Sequence, residues 1–212
     1  MTPKRVRTMD LEDPFVASFE GMCELLLVRH GEQQFRDNIP LGEALDAPLS
    51  DLGWRQARAV GERLKDARLG AVYCSPLQRA HNTAIEIAKH HGLEPVIDAD
   101  LSEIDLWKNA PQDKGLLDLY SRDELVAVYR EVAATRRHSA YPYCEDADAF
   151  RDRVVSAIDR VIAANIGQRV VVACHGGVIN AYVGEVLGLA TAMFFRPAHA
   201  STHRVRAKGD IR

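Results

Sequence analysis

The side chains best suited to chemistry are two arginines and two histidines, each placed just after a short apolar run. Arg29 and His30 end Leu25-Leu26-Leu27-Val28, Arg79 closes Ser75-Pro76-Leu77-Gln78-Arg79 after Ala71-Val72-Tyr73-Cys74, and His175 ends Val170-Val171-Val172-Ala173-Cys174. A carboxylate, Glu103, stands in Leu101-Ser102-Glu103. An arginine fork donates two hydrogen bonds to one phosphoryl group, and an imidazole neutral at one nitrogen is a nucleophile. A carboxyl carries a proton to or from a reacting oxygen. Cys23, Cys74, Cys144 and Cys174 form no C-x-x-C pair and no metal-ligand spacing accompanies the histidines, so the set reads as a phosphate site that needs no metal.

Each residue has a plainer reading beside this one. Arg29-His30-Gly31 alone is a strand with a polar end, His175 a histidine bonded to backbone, and Arg79 a surface residue opening a helix, where its charge opposes the helix dipole. Glu32 and Asp105 are rival acids to Glu103, with Glu32 expected to fix the loop that follows His30. Gln33 and Arg36 lie on that loop and are candidates for contacting substrate. Trp107 and Tyr120 either line a pocket or pack, and the remaining histidines, including His90 and His91, are expected to be solvated.

For these side chains to meet, the runs before them must be neighbouring strands. Runs of branched apolar residues too short for buried helices read as buried parallel strands, whose carboxyl ends face the ligand crevice of an open α/β sheet. Helices are expected between them. Ser50 caps one that reaches about Ala67, with a stripe of Ala57, Val60, Gly61 and Leu64, and another carries Ala80, Ala84, Ile87 and Ala88 and ends before Gly92. Pro95-Val96-Ile97-Asp98 is a third strand, and Leu106 to Gly115 a surface excursion. Ser121 and Glu124 have capping-box spacing for a partly exposed helix, and Asp146 to Asn165 is a longer one with Phe150, Val154, Ile158, Val161 and Ile162 on one side. A helix from about Val178 to Leu187 puts the backbone N–H groups after His175, Gly176 among them, at an anion-binding N-terminus. Ser201 to Ala207 is a last strand and Lys208-Gly209-Asp210 a turn. The alternation gives an α/β fold, a three-layer α/β/α sandwich with a mainly parallel central sheet.

Taken together, Leu27-Val28-Arg29-His30-Gly31-Glu32, Pro48-Leu49-Ser50 with Gly53, Ser75-Pro76-Leu77-Gln78-Arg79-Ala80 with Thr83-Ala84, Leu101-Ser102-Glu103 and His175-Gly176-Gly177 resemble the histidine phosphatase superfamily, also called phosphoglycerate mutase-like. The likeness runs in the family's order over residues 24 to about 206. It implies a phosphomonoesterase in which His30 becomes a phosphohistidine. Arg29, Arg79, His175 and the Gly176 backbone would hold the phosphoryl oxygens, and Glu103 would be the general acid and base, with no cofactor. A phosphoglycerate mutase-type phosphotransferase and a non-catalytic phosphate-binding scaffold are the alternatives. Several positions depart from the pattern. Gln33 and Arg36 replace a small residue and an asparagine, and Ile104-Asp105-Leu106-Trp107-Lys108 lacks the Trp-Glu-Gly element of mutases. Tyr143-Cys144-Glu145-Asp146 stands where Gly-Glu-Ser is common, so Glu145 matches and its neighbours do not.

The remaining 212-residue context narrows partners. A net charge of -3, from 27 Lys plus Arg against 30 Asp plus Glu, provides no global field for nucleic acid or an anionic membrane. A phosphorylated small molecule is the expected substrate, with a phosphoprotein left open, and a homodimer is neither required nor excluded. Scattered cysteines and the lack of a signal-peptide core point to the cytoplasm. Residues 1–20 read as a flexible N-terminal tail and residues 21–212 as one domain.

Overall fold

The computed structural model describes residues 21–35 and 37–208. The tail expected at residues 1–20, Arg36, and most of the turn at Lys208-Gly209-Asp210 lie outside them. In chain order the elements are β1 (Cys23–Arg29), α1 (Leu41–Ala44), α2 (Asp51–Leu64), β2 (Ala71–Cys74), α3 (Gln78–Ala88), β3 (Val96–Ile97), α4 (Leu116–Leu119), α5 (Arg122–Thr135), α6 (Ala147–Ala164), β4 (Arg169–Cys174), α7 (Gly176–Val186) and β5 (Thr202–Ala207). Short 3-10 turns occupy Ala99–Leu101 and His138–Ala140.

The sheet order is β3-β2-β4-β1-β5. β1, β2, β3 and β4 run parallel, and β5 pairs antiparallel with β1. The apolar runs sit in the middle because they are buried on both faces. Leu25 and Leu27 of β1 join Val170 and Val172 of β4 under α6 and α7, while Leu26, Val28, Val171 and Ala173 face α2 and α3. That division is the three-layer α/β/α sandwich expected. The expected helix stripes are the buried faces, with Ala57, Val60, Gly61 and Leu64 on α2 and Phe150, Val154, Ile158, Val161 and Ile162 on α6.

The helix starts follow their caps. The Ser50 hydroxyl accepts from the Gly53 N–H, Ser121 and Glu124 form the reciprocal capping box, and the Asp146 carboxylate accepts from the N–H groups of Asp148 and Ala149. Gly92 takes a φ of +65°, the left-handed conformation that follows a helix end. The structure departs from expectation at smaller elements. α7 begins at Gly176, two positions before the expected Val178, and the third strand shrinks to Val96–Ile97, an exposed edge. The loop after His30 contains α1, and α4 precedes the capped helix. Among the described residues no helix is long and apolar enough to cross a membrane.

Candidate active site

The parallel register brings the key residues together. Arg29 pairs with Cys174 and Cys74 with Ala173, so His30, His175 and Ser75 leave adjacent strands at the same edge. The His30 N–H still donates to the Cys174 carbonyl at 2.9 Å, and the ring centroids of His30 and His175 are 5.0 Å apart. Both imidazoles are buried, at 2% and 0% exposure.

Hydrogen bonding sets the tautomer of His30. Nδ1 lies 2.6 Å from the Gly31 carbonyl oxygen, which only accepts, so Nδ1 carries the proton and Nε2 keeps its lone pair. Arg79 Nε donates to that Nε2 at 3.2 Å. Arg79 is itself pinned, since its terminal nitrogen donates to the Leu45 carbonyl at 2.5 Å and its own carbonyl accepts from the Thr83 hydroxyl at 2.7 Å. The same hydroxyl accepts from the Gly31 N–H at 3.2 Å, tying the nucleophile loop to α3. Arg79 is 4% exposed, so the surface-residue reading is set aside.

Arg29 donates to the Pro197 carbonyl at 2.6 Å. His175 Nε2 is 2.8 Å from the Ser75 hydroxyl oxygen, and that oxygen accepts from the Leu77 N–H. Among the described residues, Arg29 Nε and His175 Nδ1 are buried without a hydrogen-bond partner. Glu103 points its carboxylate at the start of α7, where Oε2 accepts from the Gly177 N–H at 3.1 Å and Oε1 from the Ile104 N–H at 3.1 Å. A Cβ on Gly177 would overlap that carboxylate, which explains the glycine. The rival acids are each engaged by local hydrogen bonds, although Asp105 lines the same crevice as Glu103. Glu32 accepts from the Ser50 hydroxyl at 2.7 Å and so fixes the loop, as expected, and Asp105 accepts from the Trp107 N–H at 3.0 Å.

Burial shapes the protonation states. It pushes His30 well below the usual histidine range, with the Arg79 guanidinium adding to the effect, and pushes His175 down in the same way. Burial raises Glu103 above the ordinary carboxylate range, partly offset by the Gly177 and Ile104 N–H groups and by Arg79 and Arg29.

A cavity of about 340 Å³ lies over His30, lined by Arg29, Arg79, Gln33, Glu103 and Trp107. A second, of about 550 Å³, shares Arg29 and Glu103 and extends along α5 to Arg136, Tyr141, Phe195 and Arg196. Gln33 is thus on the crevice wall, and Gly176 begins α7 beside Arg29. Trp107 both lines the crevice and packs on Tyr120 and Tyr141. Two residues on the 191–201 loop escaped the sequence reading. His199 lies with its ring 5.6 Å from that of His30, and Arg196 lines the larger cavity. Not all remaining histidines are solvated, since His138 is buried and His199 half-buried. Among the described residues no group of three or more His, Cys, Asp or Glu converges to hold a metal ion.

The chain is similar to several known proteins. The chain is 34% identical over 172 residues to phosphoglycerate mutase-like protein 4 of Arabidopsis thaliana, covering 80% of this chain and 73% of that protein. It is 32% identical over 163 residues to the metal-independent phosphoserine phosphatase of the same plant, covering 76% and 67%. The solved mycobacterial glucosyl-3-phosphoglycerate phosphatase superposes with a TM-score of 0.70 at 25% identity, covering 87% of this chain and 90% of that one. The profile of the histidine phosphatase superfamily, branch 1, matches residues 25–210, and the chain belongs to that family.

Proposed function

We propose that this protein is a metal-independent phosphomonoesterase that works through a phosphohistidine on His30. The observation that carries the reading is the 2.6 Å contact of His30 Nδ1 with the Gly31 carbonyl, which can only accept and so holds the proton on Nδ1, leaving Nε2 beside Arg79 free to attack. Nε2 attacks phosphorus in line, the bond to the leaving oxygen breaks, and Glu103 gives that oxygen its proton. Water then attacks phosphorus, Glu103 takes its proton, and the phosphorus–nitrogen bond breaks to restore neutral His30. The positive charge that develops on the imidazole is stabilised by the Nδ1–H bond to Gly31.

Arg29, Arg79, His175 and the N–H groups at the start of α7 hold the phosphoryl oxygens. With the Ser75 hydroxyl donating to His175 Nε2, neutral His175 carries its proton on Nδ1, so Nδ1 and Arg29 Nε supply donors for that purpose. The raised carboxyl of Glu103 suits a general acid, and a bound phosphate dianion raises it further. The larger cavity receives the leaving group, with Arg136 and Arg196 among its walls, while Gln33 lines the cavity over His30. A phosphorylated small molecule fits a space of this size. Free, scattered cysteines fit a reducing cytoplasm.

A screen of phosphorylated metabolites and phosphopeptides for phosphate release tests the reading. His30→Ala should abolish both release and acid-labile labelling of the enzyme, and retention of either overturns the assignment. Isomerisation of 3-phosphoglycerate that depends on a bisphosphate primer and outpaces release would replace the hydrolase with a mutase.

A further inference from the structure

Glu103 sits in an irregular stretch, residues 102–105, that follows the 3-10 turn at Ala99–Leu101. Something outside the segment must therefore fix the carboxyl, because a misplacement of about 1 Å at a reacting group can cost about 100-fold in rate. Two side chains from α6 and the coil before it grip the chain on both sides. Arg153 donates from one terminal nitrogen to the carbonyls of Asp100 at 2.7 Å and Ser102 at 3.0 Å. Its other terminal nitrogen reaches Glu145 Oε1 at 3.1 Å. Glu145 accepts from the Asp105 N–H at 2.9 Å through that same oxygen, and its own N–H donates to the Asp105 carbonyl at 2.9 Å. The Lys108 ammonium lies 3.5 Å from its other oxygen.

The held positions are 100, 102 and 105, which bracket residue 103. The Arg153 guanidinium also lies on the Phe150 ring, 4.8 Å from its centroid, so its position is set by core packing and not only by solvent-exposed charge. Neither Glu145 nor Arg153 lines either cavity, so neither has a place among the groups that touch substrate.

We infer that Glu145 and Arg153 form a two-sided clamp that positions Glu103 for proton transfer. The inference rests on the general-acid role proposed for Glu103. A clamp of this kind acts on the proton-transfer step and not on phosphate binding, and the two are separable by the leaving group. Phenols of low pKa leave without help, whereas alkoxides need the proton.

The experiment measures kcat/KM for a series of aryl and alkyl phosphates with leaving groups of increasing pKa, for the wild type and for Glu103→Gln, Glu145→Ala and Arg153→Met. Glu103→Gln should steepen the decline with leaving-group pKa, losing about 100-fold or more on alkyl phosphates while nearly sparing the most acidic phenol. Glu145→Ala and Arg153→Met should steepen it in the same sense by about 10-fold or more. If Glu145→Ala is not obtained folded, Glu145→Gln and Arg153→Lys, which keep the volume and one hydrogen bond each, make the same comparison and should give an intermediate slope. A uniform loss across the series, with the wild-type slope, would overturn the clamp while leaving Glu103 in place. An unchanged slope in Glu103→Gln would remove the general-acid role itself, and the clamp with it.

Discussion

His30 and Glu103 are set against their ordinary protonation states by the same cause, burial, acting on opposite charges. Burial and the nearby Arg79 favour neutral imidazole at His30, and burial favours neutral carboxyl at Glu103. Attack needs His30 unprotonated and departure needs Glu103 protonated, so kcat/KM rises as His30 loses its proton and falls as Glu103 loses its own. The acidic limb then lies below the usual histidine range and the alkaline limb above the usual carboxylate range, and Glu103→Gln should flatten the alkaline limb while leaving the acidic one in place. A pH–rate profile from pH 4 to 9 checks this, and an unchanged alkaline limb rejects it. Stability follows the same logic with its own sign. His175 is buried neutral, so the unfolded chain binds more protons than the native one below the unfolded pKa near 6.5, and stability is lost as pH falls from there toward the depressed native value. His175→Asn should therefore show a smaller drop in melting temperature between pH 7 and pH 5 than the wild type. Arg29, His30 and His175 were legible in the sequence because each ends an unmistakable apolar run. His199 was not, because it reaches His30 only through the return of β5 against β1, a pairing that no local pattern encodes.

At the scale of elements, two glycines on α2 separate packing from function. A Cβ on Gly61 would overlap the Glu86 carbonyl of α3, and a Cβ on Gly53 would overlap the Glu32 carbonyl on the loop that leaves His30. Both substitutions force close-packed backbone apart, at a cost of about 1–3 kcal/mol each. Gly61→Ala parts α2 from α3 at Glu86, about two turns beyond the Arg79 end of α3 that meets the crevice, so it should lower the melting temperature with kcat nearly unchanged. Gly53→Ala moves the loop whose Gly31 accepts the His30 proton bond, so it should lower kcat as well. Thermal melts beside steady-state kinetics distinguish them, and equal kcat values in the two variants would show that the loop is not coupled to α2. The buried helices were readable because their stripes have a strong period, as on α6, where Phe150, Val154 and Ile158 all face the core. The capping box at Ser121 and Glu124 gives the start of α5, but how α4 and α5 pack on the rest of the molecule was not legible. Only Leu125 of α5 is buried, so hydrophobic pattern has little to specify there, and the position of Arg136 over the second cavity follows from tertiary packing alone.

The molecule as a whole holds two guanidinium groups at one crevice before any ligand arrives. Burial pushes both arginines below their ordinary pKa, with Arg29 adding to the effect on Arg79 and Arg196 to that on Arg29, while Glu103 offsets both and Asp46 offsets Arg79. The positions of the arginines are fixed by carbonyls of Leu45 and Pro197, which belong to loops far apart in sequence. Such a cage costs little reorganisation when an anion enters, and it exists only in the native state. An anion that binds the native chain and not the unfolded one stabilises it by RT ln(1 + [L]/Kd), about 2.7 kcal/mol at a ligand concentration 100 times Kd. For a chain of this size that corresponds to about 5–10 °C in melting temperature. Inorganic phosphate at pH 7, titrated against chloride at equal ionic strength, should give that rise with a saturating dependence on concentration. Arg79→Met should abolish the rise, while Lys65→Met, which removes an exposed partner of Glu62 on the far end of α2, should keep it. A rise equal in both variants would mean that phosphate acts by general exclusion from the protein surface and not by occupying the cage, because exclusion depends on total surface and is indifferent to one buried guanidinium.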